Sequence, residues 1–231
     1  MGLFRVVTYN IRSALMGSLE EIAQTLRPLD ADVIALQEVD CGVKRSGGVD
    51  QARVLGEQLE RYSHFTSARA HQEGRYGIAL LTRERPTSLE EVELKSFGSF
   101  EPRVAIDAAL RAGSGAVRLL AFHADFIPWV ARASARTLAR RVQTSLGTGV
   151  LVVGDLNATP RTRAAQVLRA AGLRDLVGER AEGVTYWPRP TARRVDYIWA
   201  DAPLAAAAVA AQIGGSRASD HYPVQVDFEV Q

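Results

Sequence analysis

The chain has 231 residues, of which 47% are hydrophobic and 23% charged, and a formal net charge of +2. This is the makeup of a globular protein with a sizeable core, and it excludes a disordered chain and a strongly basic nucleic-acid scaffold. Cys41 is the only cysteine, which excludes a disulfide-braced fold, and no apolar run approaches the roughly 20 residues a bilayer needs.

The N-terminal stretch has no basic segment leading into a long apolar core, so the expectation is a cytoplasmic protein without membrane insertion. No linker, repeat or low-complexity tract interrupts the chain, and residues 1–231 read as a single domain with no obligate protein partner. Lys44 and Lys95 are the only lysines. The arginine bias suits phosphate, since a guanidinium forks onto phosphate oxygens, but a skewed genome composition produces the same signature.

In chain order, Leu3 to Tyr9 predicts a strand ending at Asn10. Ser18-Leu19-Glu20-Glu21 is a capping box that starts a helix, which Pro28 stops. Asp32 to Leu36 reads as a buried strand ending in Gln37-Glu38, and Asp50 can cap a helix over Gln51 to Arg61. Tyr62 to Ala68, Tyr76 to Thr82 and Leu89 to Leu94 read as strands. Val104 to Leu110 and Val117 to Phe122, joined by Gly113-Ser114-Gly115, make a hairpin with His123 at its far end. Trp129 to Leu146 is an Ala/Arg-rich helix on which Arg132, Arg136 and Arg140 share a face. Val150 to Val153 is a short aliphatic run of the kind that forms a buried strand. Gly154-Asp155-Leu156-Asn157-Ala158-Thr159 follows, and Pro160 is placed to open a helix over Arg161 to Ala171. Val184 to Trp187, Val195 to Trp199 and Val224 to Val230 read as further strands, while Ala205 to Ala211 fits either state. Strands and helices mix without strict alternation, which favours a layered α/β fold over a doubly wound sheet.

Polar residues gather where these strands end: Asn10, Glu38, His123, Asp155 with Asn157, Asp196, and Asp220 with His221. Each has an ordinary reading as a turn residue, a solvated charge or a satisfied histidine. Asp196 is the hardest to dismiss, because a carboxylate inside Val195-Asp196-Tyr197-Ile198-Trp199 needs a partner if buried. Sites assembled at the ends of several strands are how rigid folds build chemistry.

Taken together, Thr8-Tyr9-Asn10, Gln37-Glu38, Phe122-His123, Gly154 to Pro160, Arg194 to Ile198 and Ser219-Asp220-His221-Tyr222-Pro223 resemble, in order, the motifs of the endonuclease/exonuclease/phosphatase superfamily. The resemblance runs over nearly the whole chain. It implies a four-layered α/β sandwich, with two mixed sheets face to face and helices outside. It also implies a phosphoester hydrolase using Mg²⁺ or Mn²⁺.

The residue types suit that chemistry. A phosphodiester needs its charge neutralised, a water aimed in line and its leaving oxygen stabilised. Glu38 is the first candidate metal ligand, with Asn10 and Asp220 beside it. Asp155 would orient or deprotonate the water, Asn157 fix the water or a phosphate oxygen, and His123 contact the phosphate. His221 would bond the phosphate or the nucleophile, oriented by Asp196. Either Asp155 or His221 could take the proton, and no covalent intermediate is required.

Arg103, in Glu101-Pro102-Arg103, resembles a family arginine facing the phosphate, with a surface salt bridge as the alternative, and Thr185-Tyr186-Trp187 resembles an aromatic segment near the pocket, with Trp187 as a core residue the alternative. Arg12 stands where abasic-site endonucleases of the family carry Asp, so it could meet a second phosphate or a neighbouring carboxylate. Gly154 to Asn157 continues as Ala158-Thr159-Pro160 and Ser219 to His221 as Tyr222-Pro223, which resembles the phosphodiesterase and deoxyribonuclease side of the family and favours a nuclease-like phosphodiesterase with DNA or RNA as candidate substrate. A hydrolase of a small or lipid phosphoester is the alternative. A non-catalytic binding module is remote, because none of the central polar residues has been lost.

Overall fold

The structure, a computed structural model, describes residues 2–94 and 101–231. Among these residues, strands β1 (Gly2–Asn10), β2 (Val33–Cys41), β3 (Tyr62–His71) and β4 (Gly74–Thr82) join β11 (Ala208–Ile213) and β12 (Val224–Val230) in one six-stranded sheet. Its order is β11-β12-β1-β2-β4-β3. A second sheet has the order β5-β6-β7-β8-β10-β9. It is built from β5 (Ser88–Leu94), β6 (Arg103–Ala112), β7 (Gly115–His123), β8 (Val150–Asp155), β9 (Arg174–Asp175) and β10 (Asp196–Ala200). Both sheets are mixed, since β1 pairs parallel with β2 and β7 parallel with β8.

Side-chain alternation decides the layers. Val6, Val33 and Ala35 point inward and pack with Ile106, Leu119, Leu151, Val153 and Ile198 in the core between the sheets. Their neighbours Val7, Tyr9, Ile34 and Leu36 point the other way, onto α1 (Leu19–Leu26) and α2 (Gln51–Leu59). On the far side, Leu120, Phe122, Val150 and Val152 pack on α3 (Pro128–Val142) and α4 (Arg163–Ala170). The fold is therefore the expected α/β sandwich. No described helix is long and apolar enough to cross a membrane.

The caps read from sequence are present. Ser18 and Glu21 close the capping box, and Asp50 accepts from the Arg53 N–H. The Ala-rich segment splits into α6 (Ala202–Ala207), capped by Asp201, and strand β11.

Several expectations need correction. Pro160 does not open α4, because Thr162 is the N-cap and Pro160 lies in the preceding turn. Val184 to Trp187 is not a strand, and Tyr186 makes only isolated bridges to Arg193 and His221. β9 and α5 (Leu176–Arg180) went unrecognised, being too short to show a period. β2 does not stop at Glu38 but runs on to Cys41, with a register shift between Gln37 and Val39 that leaves Glu38 as a bulge at φ 56°.

Gly154 shows how tightly β7 and β8 approach. A Cβ there would lie 2.0 Å from the Phe122 carbonyl oxygen. Gly154→Ala is expected to destabilise the protein by on the order of 3 kcal/mol, measured by urea unfolding. An unchanged midpoint would show that the two strands can part at no cost.

Candidate active site

The topology gathers the polar strand ends at one edge of the sandwich. Parallel β1 and β2 bring Asn10 beside Gln37, and parallel β7 and β8 bring His123 beside Asp155. β10 runs antiparallel to β8, so its first residue, Asp196, registers with Asp155. β12 runs antiparallel to β1, with Thr8 opposite Val224, so the Ser219–Tyr222 segment just before it lands at the same edge. Three of the expected site residues have positive φ, Arg12 at 47°, Glu38 at 56° and Asn157 at 52°. Asn tolerates that conformation; for Glu it is strain, and it aims the side chain away from the ordinary pleat.

Asp155 is the hub. It is fully buried, and its Oδ1 accepts from the Asn157 N–H at 2.7 Å. Its Oδ2 accepts from Asn10 Nδ2 at 3.1 Å and lies 3.8 Å from His123 Nε2 and 3.9 Å from His221 Nε2. The same Asn10 amide donates to Glu38 Oε1 at 3.1 Å, so one side chain tethers two carboxylates. Burial, followed by the negative charge of Asp196, pushes the Asp155 pKa up to about 7. Burial also raises Glu38, partly offset by the Asn10 hydrogen bond.

The two histidines differ in charge. Burial works against a charged His221, but the Asp196 carboxylate, 2.9 Å from its Nδ1, outweighs burial. Its pKa rises to about 10, so it is an imidazolium at neutral pH. His123 is buried and held well below 6.5, first by desolvation and then by the charges of Arg103 and His221. It faces donors on both sides, Arg103 Nη1 at 2.9 Å from Nδ1 and Asn157 Nδ2 at 3.1 Å from Nε2. A neutral imidazole has one acceptor nitrogen, so only one of these can be a full hydrogen bond.

The remaining expected residues lie around this centre. Arg103 is buried, 5% exposed, and also pairs with Glu101 at 2.9 Å, so it is no surface salt bridge. Arg12 meets a neighbouring carboxylate, with its Nε 3.3 Å from Asp220 Oδ2. The Tyr186 ring stands edge-on to His221 at 5.2 Å. Trp187 donates from Nε1 to the Ser219 carbonyl and stacks on Tyr222, so it braces the loop that carries His221.

Two positioning residues escaped sequence reasoning. Thr185 Oγ1 accepts from the N–H groups of Val195 and Asp196, and Ser219 Oγ donates to the Asn10 carbonyl. Both lie inside motifs visible in the sequence, Ser219 in Ser-Asp-His and Thr185 in Thr185-Tyr186-Trp187, but neither motif assigned them a role.

Asp155, Asp196 and His221 are all buried and can place one ligand atom each within 4.8 Å of one another, but an imidazolium has no free lone pair, so a metal ion on this trio would need His221 deprotonated. Asp196 Oδ1 has no hydrogen-bond partner among the described residues. Neither Glu38 nor Asp155 has a lysine or arginine within 4.0 Å among them. Two carboxylates, Glu38 and Asp155, tethered by one amide and with no lysine or arginine on either, fit a hard divalent cation.

The pattern of the Endonuclease/Exonuclease/phosphatase family matches residues 7–221, which takes in every expected site residue from Asn10 to His221. The chain belongs to this family. Solved structures with the same fold cover nearly all of this endonuclease/exonuclease/phosphatase chain. A family protein from Beutenbergia cavernae DSM 12333 is 20% identical with a TM-score of 0.81, covering 100% of this chain and 72% of its own. A mannosyl-6-phosphatase from Bacteroides thetaiotaomicron VPI-5482 is 16% identical, TM-score 0.78, with coverage of 98% and 100%. An AP endonuclease from Archaeoglobus fulgidus is 17% identical, TM-score 0.75, with the same coverage. No curated protein matches the chain in sequence. At these identities the structures share the family fold, and their substrates do not transfer with it.

Proposed function

We propose that this protein is a metal-dependent phosphodiester hydrolase of nuclease type, working through an activated water. The observation that carries this reading is Asp155 Oδ2, set 3.9 Å from the imidazolium of His221 and sharing the Asn10 amide with Glu38. That spacing is too long for a direct hydrogen bond and suits an oxygen that touches both groups.

Glu38 and Asp220, helped by Asn10, would hold Mg²⁺ or Mn²⁺, whose charge would stabilise the phosphate as negative charge builds on it. Asp155 orients the attacking water and can accept its proton. Asn157 fixes the water or a phosphate oxygen. The imidazolium of His221, held by Asp196, donates to a phosphate oxygen. Neutral His123 and the buried guanidinium of Arg103 line the opposite side. The protein's work is positioning and electrostatics, as phosphoryl chemistry requires.

The fold does not choose the substrate. Among the relatives, one is described as acting on a mannosyl phosphate and another as an AP endonuclease. The deciding experiment is a panel with Mg²⁺ or Mn²⁺: plasmid DNA, abasic-site duplex, RNA, bis-p-nitrophenyl phosphate, sphingomyelin, inositol phosphates and mannose 6-phosphate. Hydrolysis of nucleic acid and the model diester is expected. Turnover confined to phosphomonoesters sinks the nuclease reading in favour of a small-phosphoester hydrolase. Exhaustive chelation is expected to lower the rate by several powers of ten, with recovery on adding Mg²⁺. Activity that survives chelation would exclude the metal.

A further inference from the structure

A cavity of about 670 Å³ opens beside the centre, and Asn157 is the one candidate catalytic residue in its wall. Phe126 and Trp129, from the start of α3 and the loop before it, are 68% and 62% exposed. Both line the cavity, together with Arg132, Arg161 and Arg163. Large aromatic surface left in water is a sign of a binding site when it shares a cavity with convergent polar groups.

Several guanidiniums of this chain are spent on carboxylates, Arg118 and Arg141 on Asp107, Arg174 on Glu179 and Arg194 on Asp175. Among the described residues, no carboxylate lies within 4.0 Å of Arg132, Arg161 or Arg163, and no acidic residue lines the cavity. Arg132 Nε is shut off from solvent and has no hydrogen-bond partner among them. Like charges gathered this way repel one another unless an anion joins them. Arg193, also in the wall, lies over the Tyr186 ring at 4.8 Å, and that ring meets His221, so with Asn157 the wall touches the proposed reacting centre from two sides.

We propose that this cavity holds the nucleotide next to the scissile phosphate in a single-stranded nucleic acid. The base stacks on Phe126 and Trp129, and the adjoining phosphate meets Arg132, Arg161 and Arg163. This rests on the phosphodiesterase reading and narrows its substrate. A sugar phosphate has no base to stack on the two aromatics, and its one anionic group is the reacting one, which leaves none for the arginines. A base inside a duplex is covered on both faces, whereas a single strand offers an open one.

The test is calorimetric binding of the 5′-phosphorylated thymidine dinucleotide to the metal-free protein, with ribose 5-phosphate as the base-free control. Binding of the dinucleotide is expected to weaken about tenfold or more in Phe126→Ala/Trp129→Ala, and to recover largely in Trp129→Phe. Ribose 5-phosphate should respond to Arg161→Gln/Arg163→Gln and not to loss of the aromatics. Both aromatics are mostly in solvent, and melting midpoints check that each variant folds. If the double aromatic variant destabilises the fold, Trp129→Gln alone is compared with Trp129→Phe. Dinucleotide binding that is absent, or equally tight in the folded aromatic variant, overturns the proposal. Equal losses for dinucleotide and ribose 5-phosphate reduce the cavity to an anion site and overturn it as well. Binding that behaves as expected while the substrate panel shows no diester hydrolysis keeps the cavity and rejects the nuclease reading.

Discussion

Asp155→Asn is expected to lower kcat on a phosphodiester by about 10²- to 10⁴-fold while leaving the melting midpoint of the metal-free protein unchanged or higher. The loss follows from the position of Asp155 Oδ2, the only carboxylate oxygen within 4 Å of both site histidines among the described residues. An amide there keeps an acceptor for the Asn157 N–H but cannot take a proton from water. Stability moves the other way because Asp155 is a costly ion. Its pKa rises from 3.8 unfolded to about 7 folded, so the folded state binds more protons between those values. Its contribution is therefore fully favourable below about pH 3.8 and is lost as pH rises through about 7. Asparagine does not ionise and removes that slope. Midpoints at pH 5 and pH 8, with steady-state rates at saturating Mg²⁺, check both halves. A near-normal kcat would show that another group handles the water. A sharp fall in midpoint would show that Asp155 is structural.

The second large effect is expected at Asp196, through His221. In the wild type, the Asp196 carboxylate overcomes the burial of His221 and raises its pKa from 6.5 to about 10. The raised value means that the pair's stabilisation is complete below about pH 6.5 and is lost as pH rises through about 10. Asp196→Asn leaves the ring buried with no carboxylate on Nδ1, so the His221 pKa should fall, with only Asp155 and Asp220 left to oppose desolvation. At pH 7.5 the phosphate would then lose a charged donor, and kcat is expected to fall about 10²- to 10⁴-fold, the range seen when a carboxylate is removed from an imidazole that takes part in chemistry. NMR titration of the imidazole, assigned with His221→Gln, reads the shift directly. A His221 titration in Asp196→Asn unchanged from the wild type would contradict the pairing.

These two residues also show what could be read in advance. Asp155 follows an aliphatic run and precedes Asn157 by two, and Asp196 sits in an apolar run that needed a partner for it. Both are local signals, carried by hydrophobic pattern and spacing, and so are the capping box at Ser18 and the β6–β7 hairpin. Glu38 was legible as a candidate, but its place was not. It sits in a bulge within β2, and a bulge depends on how two strands pair, not on the residues of one. The charge of the histidines was hidden too, because His123 and His221 are both buried and only their neighbours separate them.

The sequence by itself determined the layered α/β class, most strand positions, the family motifs in their order and the set of polar residues at strand ends. Hydrophobic periodicity and short-range turn chemistry act over a few residues, so they survive in one dimension. Tertiary structure alone decided that Asn10 tethers Glu38 and Asp155, that Arg103 is buried against His123, and that Thr185 steadies Asp196. It also placed the unpaired arginines of α3 and of the segment opening α4 around one cavity with Phe126 and Trp129. Each of these is a contact between segments far apart in the chain, set by which strands pair and in which direction, and no local pattern encodes that.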